Sequence, residues 1–287
     1  MTAWEWLQKA KEEKWALGAF NVGSIETFKA IAQAASKKRS PVIIEVSPGE
    51  TSWLGMKNVV DLAHNFSLMY EIPILVNLDH AESFVDCQQA IDLGFDLIHF
   101  DGSNLPYEEN LQLAQKITEL AHQKGLVVEV EMDHIVGSSE VHSGSAQEEM
   151  KGSKFTDPGK AREFIELTGA DVLAAFFGNV HGVFEEGGEN LHLAVLESLA
   201  GILPKTFFSL HGGSGIPDEQ VKDAIARGVI KVNVNTEIRQ AFRHKLEEVL
   251  KNNPSEYAIY KLEGPVVAEV QKVVEHKIEV FGSVNKI

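Results

Sequence analysis

Three histidines of this 287-residue chain stand at or just beyond the ends of apolar, strand-length runs: His80, His181 and His211. Three imidazoles with one coordination position left open are the donor set of a catalytic zinc, not of a closed structural site. Any one of the 11 histidines, taken alone, reads more simply as a surface or core side chain. Three at strand ends, each flanked by residues that permit tight turns, point instead to a divalent metal. His64, His122, His192, His244 and His276 fall in helical or loop contexts, and His99 lies inside a strand, where it reads as packing. Asp79, next to His80, is the acid/base candidate, able to pass a proton to or from a substrate hydroxyl. Its other reading is a carboxylate that orients a histidine, a role that Asp101 also fits. Glu131 reads either as a fourth or alternate metal ligand or as a salt bridge at the same mouth.

A second chemistry is written in two loops. His211-Gly212-Gly213-Ser214-Gly215 runs into Ile216-Pro217-Asp218-Glu219, a helix start with proline in its first turn and acids at its positive end. Small residues there let a phosphate approach the backbone N–H groups. Asn235-Thr236-Glu237 opens the next helix in the same way. One glycine-rich loop is weak evidence; two that converge describe a phosphate site made of oriented amides. Such a site works even in a chain whose net charge is −16.

These residues need a frame that brings them together. Apolar runs over residues 16–20, 42–46, 74–78, 97–100, 127–130, 172–176, 207–210 and 229–232 have strand length and β-branched or aromatic content. Helical patterns lie between them, at 25–36, 85–93, 111–124 and 220–227, several ending near a glycine such as Gly94, Gly125 or Gly228. The pattern fits a closed barrel or a doubly wound open sheet. The polar residues at the run ends decide between them. Asn21, Ser47, Asp79-His80, Asp101, Glu131, His181, His211 and Asn233-Asn235 all come after strands. A barrel gathers all those ends at one mouth, whereas an open sheet scatters them along an edge. The expected fold is a single-domain (β/α)8 TIM barrel over residues 1–287, with a C-terminal helical extension from about residue 254.

Composition bounds the rest. The acidic balance argues against nucleic acid or an anionic membrane as partner. The N-terminal stretch lacks a signal-length apolar run, and no run approaches a membrane span. The single cysteine, Cys87, allows no intrachain disulfide and fits a reducing, cytoplasmic compartment.

The motifs resemble class II, metal-dependent fructose-bisphosphate and tagatose-bisphosphate aldolases. The matching segments are Ala19-Phe20-Asn21-Val22, Leu78-Asp79-His80, Phe100-Asp101-Gly102-Ser103, Phe177 to Val183, His211 to Gly215 and Lys231 to Glu237, collinear over almost the whole chain. The resemblance implies zinc on His80, His181 and His211, with Glu131 as a ligand of a displaced state. It implies that Asp79 handles the proton of the C4 hydroxyl. Gly182, Gly212, Ser214, Asn233, Asn235 and Thr236 would bind the dihydroxyacetone-phosphate end, with a monovalent cation (Na+ or K+) near that phosphate. Asn21 and Ser47 would hold the rest of the substrate. The implied reaction is reversible retro-aldol cleavage of a phosphorylated ketose, a ketose 1,6-bisphosphate first, to dihydroxyacetone phosphate and an aldehyde. A cytoplasmic glycolytic homodimer or homotetramer is the implied setting.

Three segments depart from the family pattern. After Glu131, Ser138 and Ser139 stand where the family carries an acidic pair, so Glu140, one step later, is the candidate carrier of the C3 proton. Phe184-Glu185-Glu186 places negative charge where many members have lysine near the phosphate. Val267 aligns with an arginine that serves a second phosphate across a subunit interface. These departures keep two alternatives open: an aldolase for another phosphorylated sugar or deoxy sugar acid, and a non-catalytic aldolase-like partner subunit. A metal-dependent hydrolase or isomerase on the same barrel is disfavoured by the phosphate loops.

Overall fold

In the computed structural model, which describes residues 1–186 and 190–287, strand and helix alternate along the chain. The first half runs α1 (Ala3–Glu13), β1 (Leu17–Asn21), α2 (Ile25–Lys38), β2 (Val42–Val46), α3 (Pro48–Leu54), α4 (Met56–Tyr70), β3 (Ile74–Ala81), α5 (Phe84–Leu93), β4 (Leu97–Asp101), α6 (Tyr107–His122) and β5 (Val127–Glu131). Then come β6 (Gly137–His142), α7 (Ala146–Glu149), α8 (Pro158–Thr168), β7 (Val172–Ala174), β8 (His181–Phe184), α9 (Leu193–Ile202), β9 (Phe207–Leu210), α10 (Asp218–Ala226), β10 (Val229–Val234), α11 (Thr236–Asn252) and α12 (Ile259–Val280). Eight of the strands close into a parallel barrel in the order β1-β10-β9-β7-β5-β4-β3-β2. That is the expected (β/α)8 barrel. Serine hydroxyls start two of its helices: Ser24 accepts from the Thr27 amide, and Ser83 from those of Val85 and Asp86.

Strand alternation sorts the barrel interior into tiers, because residues two apart share a face. The lowest tier is apolar: Leu17, Ile43, Leu75, Leu97, Val127, Val172, Phe207 and, where the register of β10 shifts between Val229 and Lys231, Ile230 form one buried cluster with Trp6, Leu7 and Ala10 of α1. Helix α1 therefore plugs the N-terminal end of the barrel and leaves the opposite mouth for chemistry. The next tier is polar and buried: Glu45, Asn77, His99, Glu129, Ser209 and Lys231. Lys231 Nζ lies 2.6 Å from Glu45 Oε1 and 2.8 Å from Glu129 Oε2. Ser209 Oγ donates to Glu129 Oε1 at 2.5 Å, and Asn77 Nδ2 to Glu45 Oε1 at 2.8 Å. Charges this deep persist only when paired.

The structure shifts several expected boundaries. β3, β4, β5 and β10 continue past their apolar runs, so Asp79, His80, Asp101, Glu131 and Asn233 lie within strands rather than after them. β7 stops at Ala174, short of the 172–176 run. β6 and β8 pair with each other in parallel, outside the barrel, with Gly137 opposite His181 and His142 opposite Phe184. This ribbon carries little apolar signal because it leans over the mouth instead of lining a core. The helix beyond residue 254 packs onto the barrel: Val270, Val274 and Ile278 of α12 join the main hydrophobic cluster. Lys37 and Lys38 of α2 bind Glu275 and Glu279 of α12. Among the described residues no helix is long and apolar enough to cross a membrane.

Candidate active site

The top interior tier sits two residues above the polar one, on the same strands. It consists of Asn21, Asp79, Asp101, Glu131 and Asn233, each buried, with His211 just past the end of β9. His80 leans in from β3 and His181 from β8. The His80 and His211 ring centroids are 4.7 Å apart, and His181 is 4.9 Å from His80 and 5.8 Å from His211.

Hydrogen bonds settle which nitrogens face the centre. His80 Nδ1 lies 2.9 Å from Asp101 Oδ2, and His211 Nε2 lies 2.7 Å from Glu129 Oε1. A carboxylate accepts only, so each outer nitrogen carries its ring proton. The inner nitrogens, His80 Nε2 and His211 Nδ1, then meet at 3.0 Å with lone pairs opposed. Such a pair needs a positive charge between its members. These donors therefore fit a divalent ion of nitrogen preference, and the carboxylate behind each histidine is the usual support for one. Ligand atoms of Asp79, His80, His99 and His211 lie within 4.8 Å of one another, as do those of His80, Asp101 and Glu131.

The electrostatics agree. Burial alone would lower the His80 pKa, but Asp79, the hydrogen bond to Asp101 and the charge of Glu131 outweigh it and raise it to about 10. A proton thus fills the demand for charge that an ion would otherwise meet. His211 is lowered to about 4 by burial, against the pull of Glu129. Glu131 is raised to about 8 by burial and by Asp101. Its Oε1 accepts from the Ile135 amide at 3.0 Å, while Oε2, buried, has no partner among the described residues. Burial would raise Asp79 too, yet the charges of His80, His211 and Lys231 hold it well below the usual carboxylate range. Asp79 is an anion, steadied by Asn21 Nδ2 at 3.1 Å and more loosely by Asn233 Nδ2 at 3.4 Å.

The other half of the cleft is built from small residues. Asn21, Asp79, His80 and His181 share its lining with Ser139, Gly182, Gly212, Ser214, Asn233, Asn235 and Thr236. Gly212 has φ 67°, and a side chain there would run into the Val180 carbonyl. Only glycine fits. Asn235 precedes the first turn of α11, and its buried Oδ1 has no partner among the described residues. The positive end of α11 and a polar lining suit an anionic oxygen group.

Two expected site residues stand elsewhere. Ser47 donates through its amide (2.9 Å) and Oγ (3.0 Å) to Glu50 Oε2 and does not line the cleft. Glu140 is exposed on β6, and its neighbour Ser139 takes the place at the cleft wall. The sequence reading missed Glu50, Arg239 and the polar tier. Glu50 accepts from Asn21 at 3.0 Å and pairs with Arg239 at 2.9 Å. Together they line a cavity of about 330 Å³ beside the cleft. His99 is not a packing residue either: its ring lies 4.6 Å from His80 and 4.8 Å from His211. The available signal was periodicity, since Asn77, His99, Glu129, Ser209 and Lys231 each precede a site residue by two.

Comparison with known proteins agrees with this geometry. The sequence profile of the family described as Fructose-bisphosphate aldolase class-II matches residues 1–286. The chain is 38% identical to the fructose-bisphosphate aldolase of Streptococcus pyogenes serotype M1, covering 100% of this chain and 99% of that one. It is 35% identical to the fructose-bisphosphate aldolase of Geobacillus stearothermophilus, over 98% and 96% of the two chains. The crystal structure of the YdjI aldolase from Escherichia coli K12 superposes with a TM-score of 0.82 at 28% identity, covering 100% and 99%. The chain belongs to the class II fructose-bisphosphate aldolase family, and it is a metal-dependent lyase that cleaves a phosphorylated sugar by a retro-aldol reaction.

Proposed function

We propose that this aldolase holds zinc on His80, His181 and His211, with Glu131 as an alternate ligand, and cleaves a ketose 1,6-bisphosphate to dihydroxyacetone phosphate and an aldehyde. The observation that carries the reading is the pair of inner imidazole nitrogens 3.0 Å apart beside ionised Asp79. A bound zinc ion supplies Lewis-acid polarisation of the substrate carbonyl. Asp79 takes the proton of the C4 hydroxyl as the C3–C4 bond breaks. The bonding pair passes to the ketose fragment, which then takes up a proton at C3, with Glu140 as the candidate donor if the β6 ribbon closes. Asn21 and Asn233 keep the Asp79 carboxylate in place. Gly182, Gly212, Ser214, Asn235 and Thr236 receive the phosphate, with a monovalent cation beside it, and Ser47 acts through Glu50 and Asn21. Asp101 orients His80. A cytoplasmic homodimer or homotetramer is the proposed working form. A non-catalytic partner subunit would have no use for Asp79 and the three histidines together.

One feature favours a second substrate reading. In the cavity next to Asn21 the Arg239 guanidinium is already paired with the Glu50 carboxylate, so a second phosphate would have to compete with Glu50 for it. A phosphorylated ketose or deoxy sugar acid with a neutral far end suits that wall. The test is a panel of ketose bisphosphates, monophosphates and deoxy sugar acids, assayed for release of dihydroxyacetone phosphate with and without chelator. Cleavage that ignores the chelator overturns the metal reading, and preference for a monophosphate selects the second substrate class.

A further inference from the structure

His80 has a backbone that its position in the fold does not explain. Among the described residues five non-glycines have positive φ: Lys14, Arg39, Glu71, His80 and Asn285. Lys14, Arg39 and Glu71 end helices, where a left-handed residue is ordinary. His80 alone among the five lies inside a barrel strand, at φ 50°. The β3–β4 ladder slips there: Leu78 is opposite Ile98 but Ala81 is opposite Phe100, so one residue of β3 is extra. A bulge of this kind re-aims a side chain, and a non-glycine residue keeps such a conformation only when its surroundings enforce it.

The enforcing contact is a side chain. The His80 amide donates to His99 Nδ1 at 3.1 Å. An amide can only donate, so Nδ1 carries a lone pair and the neutral ring holds its proton on Nε2; Asp79 Oδ1, 3.5 Å from the same Nδ1, stands too far off to take a competing hydrogen bond. That assignment decides between two uses of His99. While Nδ1 holds the amide and Nε2 is protonated, neither nitrogen has a lone pair left for a metal, however near the ring lies. The protonated Nε2 instead faces Glu131 Oε2 at 3.7 Å, just beyond hydrogen-bond reach, and neither buried atom makes a hydrogen bond among the described residues.

We propose that His99 is a positioning residue: its Nδ1 pins the bulged, left-handed backbone that turns the His80 ring into the metal site. The proposal rests on the metal reading above for its functional consequence, but the backbone claim stands separately. Asparagine places an acceptor oxygen near the Nδ1 position, glutamine places an amide nitrogen near Nε2, and leucine offers neither. The proteins to compare are wild type, His99→Asn, His99→Gln and His99→Leu. Zinc affinity is measured by chelator competition, the ligand field by visible absorption of the cobalt-loaded forms, and the His80 backbone by crystallography of the metal-free proteins.

His99→Leu is expected to bind zinc about 10–100-fold more weakly, with altered cobalt bands and His80 no longer at positive φ. His99→Asn should recover most of the affinity and the spectrum, and His99→Gln should not. Wild-type affinity, spectrum and His80 backbone in His99→Leu overturn the proposal. Rescue by glutamine and not asparagine overturns it as well, because the working atom is then Nε2. If His99→Leu does not fold, the asparagine–glutamine contrast decides. If wild type binds no divalent ion, the metal reading falls, and the His80 backbone in the variants still tests the pinning.

Discussion

The two sides of the cleft are built by different rules. On one side His80, His211, Asp79 and Glu131 grow from barrel strands or their ends, are mostly buried, and stand over buried partners: Asp101 behind His80, Glu129 behind His211, Lys231 under Glu129. On the other side, Ser139, Glu140 and His181 ride on a two-stranded ribbon outside the barrel, and Glu140 points to solvent. Two of the three proposed zinc ligands, His80 and His211, are fixed by hydrogen bonds in low dielectric, where misplacement is costly, and the third, His181, reaches in from the ribbon. The proposed carrier of the C3 proton, Glu140, stands on the exposed ribbon and would act only after the bond has broken. The difference is one of timing as well as place.

The sharpest way to break this contrast is to remove the ion. Exhaustive chelation should abolish cleavage and readdition of zinc should restore it; activity in verified metal-free protein would mean that the strand-borne side has some other purpose. Next in size, Asp79→Asn should lower kcat by about 10²–10⁴-fold, the usual contribution of a general acid/base, with zinc content unchanged. Loss of zinc in that variant would recast Asp79 as a ligand.

The buried support should show itself next. Lys231→Met leaves Glu129 uncompensated and should cost about 3–5 kcal/mol of stability in denaturant titrations. Glu129→Gln should weaken zinc binding by about 10–100-fold. Protons give a finer test. With His80 raised to about 10, an entering ion displaces a proton at every lower pH. The displaced proton makes acid inhibitory, so affinity should tighten about tenfold per pH unit between about pH 6 and 8.5. A flat profile there would show that His80 binds as the neutral ring from the start.

The smallest effect is expected at the ribbon. Glu140→Gln should leave the melting temperature unchanged, as surface substitutions do within about 0.5 kcal/mol, and should slow exchange of the C3 proton by about tenfold or less, taking the low end for an exposed group. Ser139→Ala is its control. Normal exchange in both variants would place the proton carrier elsewhere and empty the ribbon of chemistry.

Much of this was legible before the fold was known. Apolar runs of strand length, each leading into a polar ligand type, point to a closed barrel, because only that topology makes all eight ends useful at once. The three histidines and Asp79 stand out on the same logic. The polar tier was written there too, as Asn77, His99, Glu129, Ser209 and Lys231 at the period-2 positions below the site. Only His99 among them reads as packing, and the others carry no signal of their own, because a single polar group inside an apolar run looks like noise until its partner is known. Lys231 is separated from Glu129 by 102 residues.

The residue types at the strand ends therefore determined the fold class and singled out the candidate metal donors and acid/base group, since alternation with helices and position after a strand are local properties of the chain. Tertiary structure alone decided three things. It chose which imidazole nitrogen faces the centre, because tautomers depend on carboxylates from other strands. It bent His80 out of the regular strand and gave His99 the amide that results. It turned Ser139 rather than Glu140 to the cleft, because the pairing of β6 with β8 depends on two loops meeting over the mouth and not on any pattern within either.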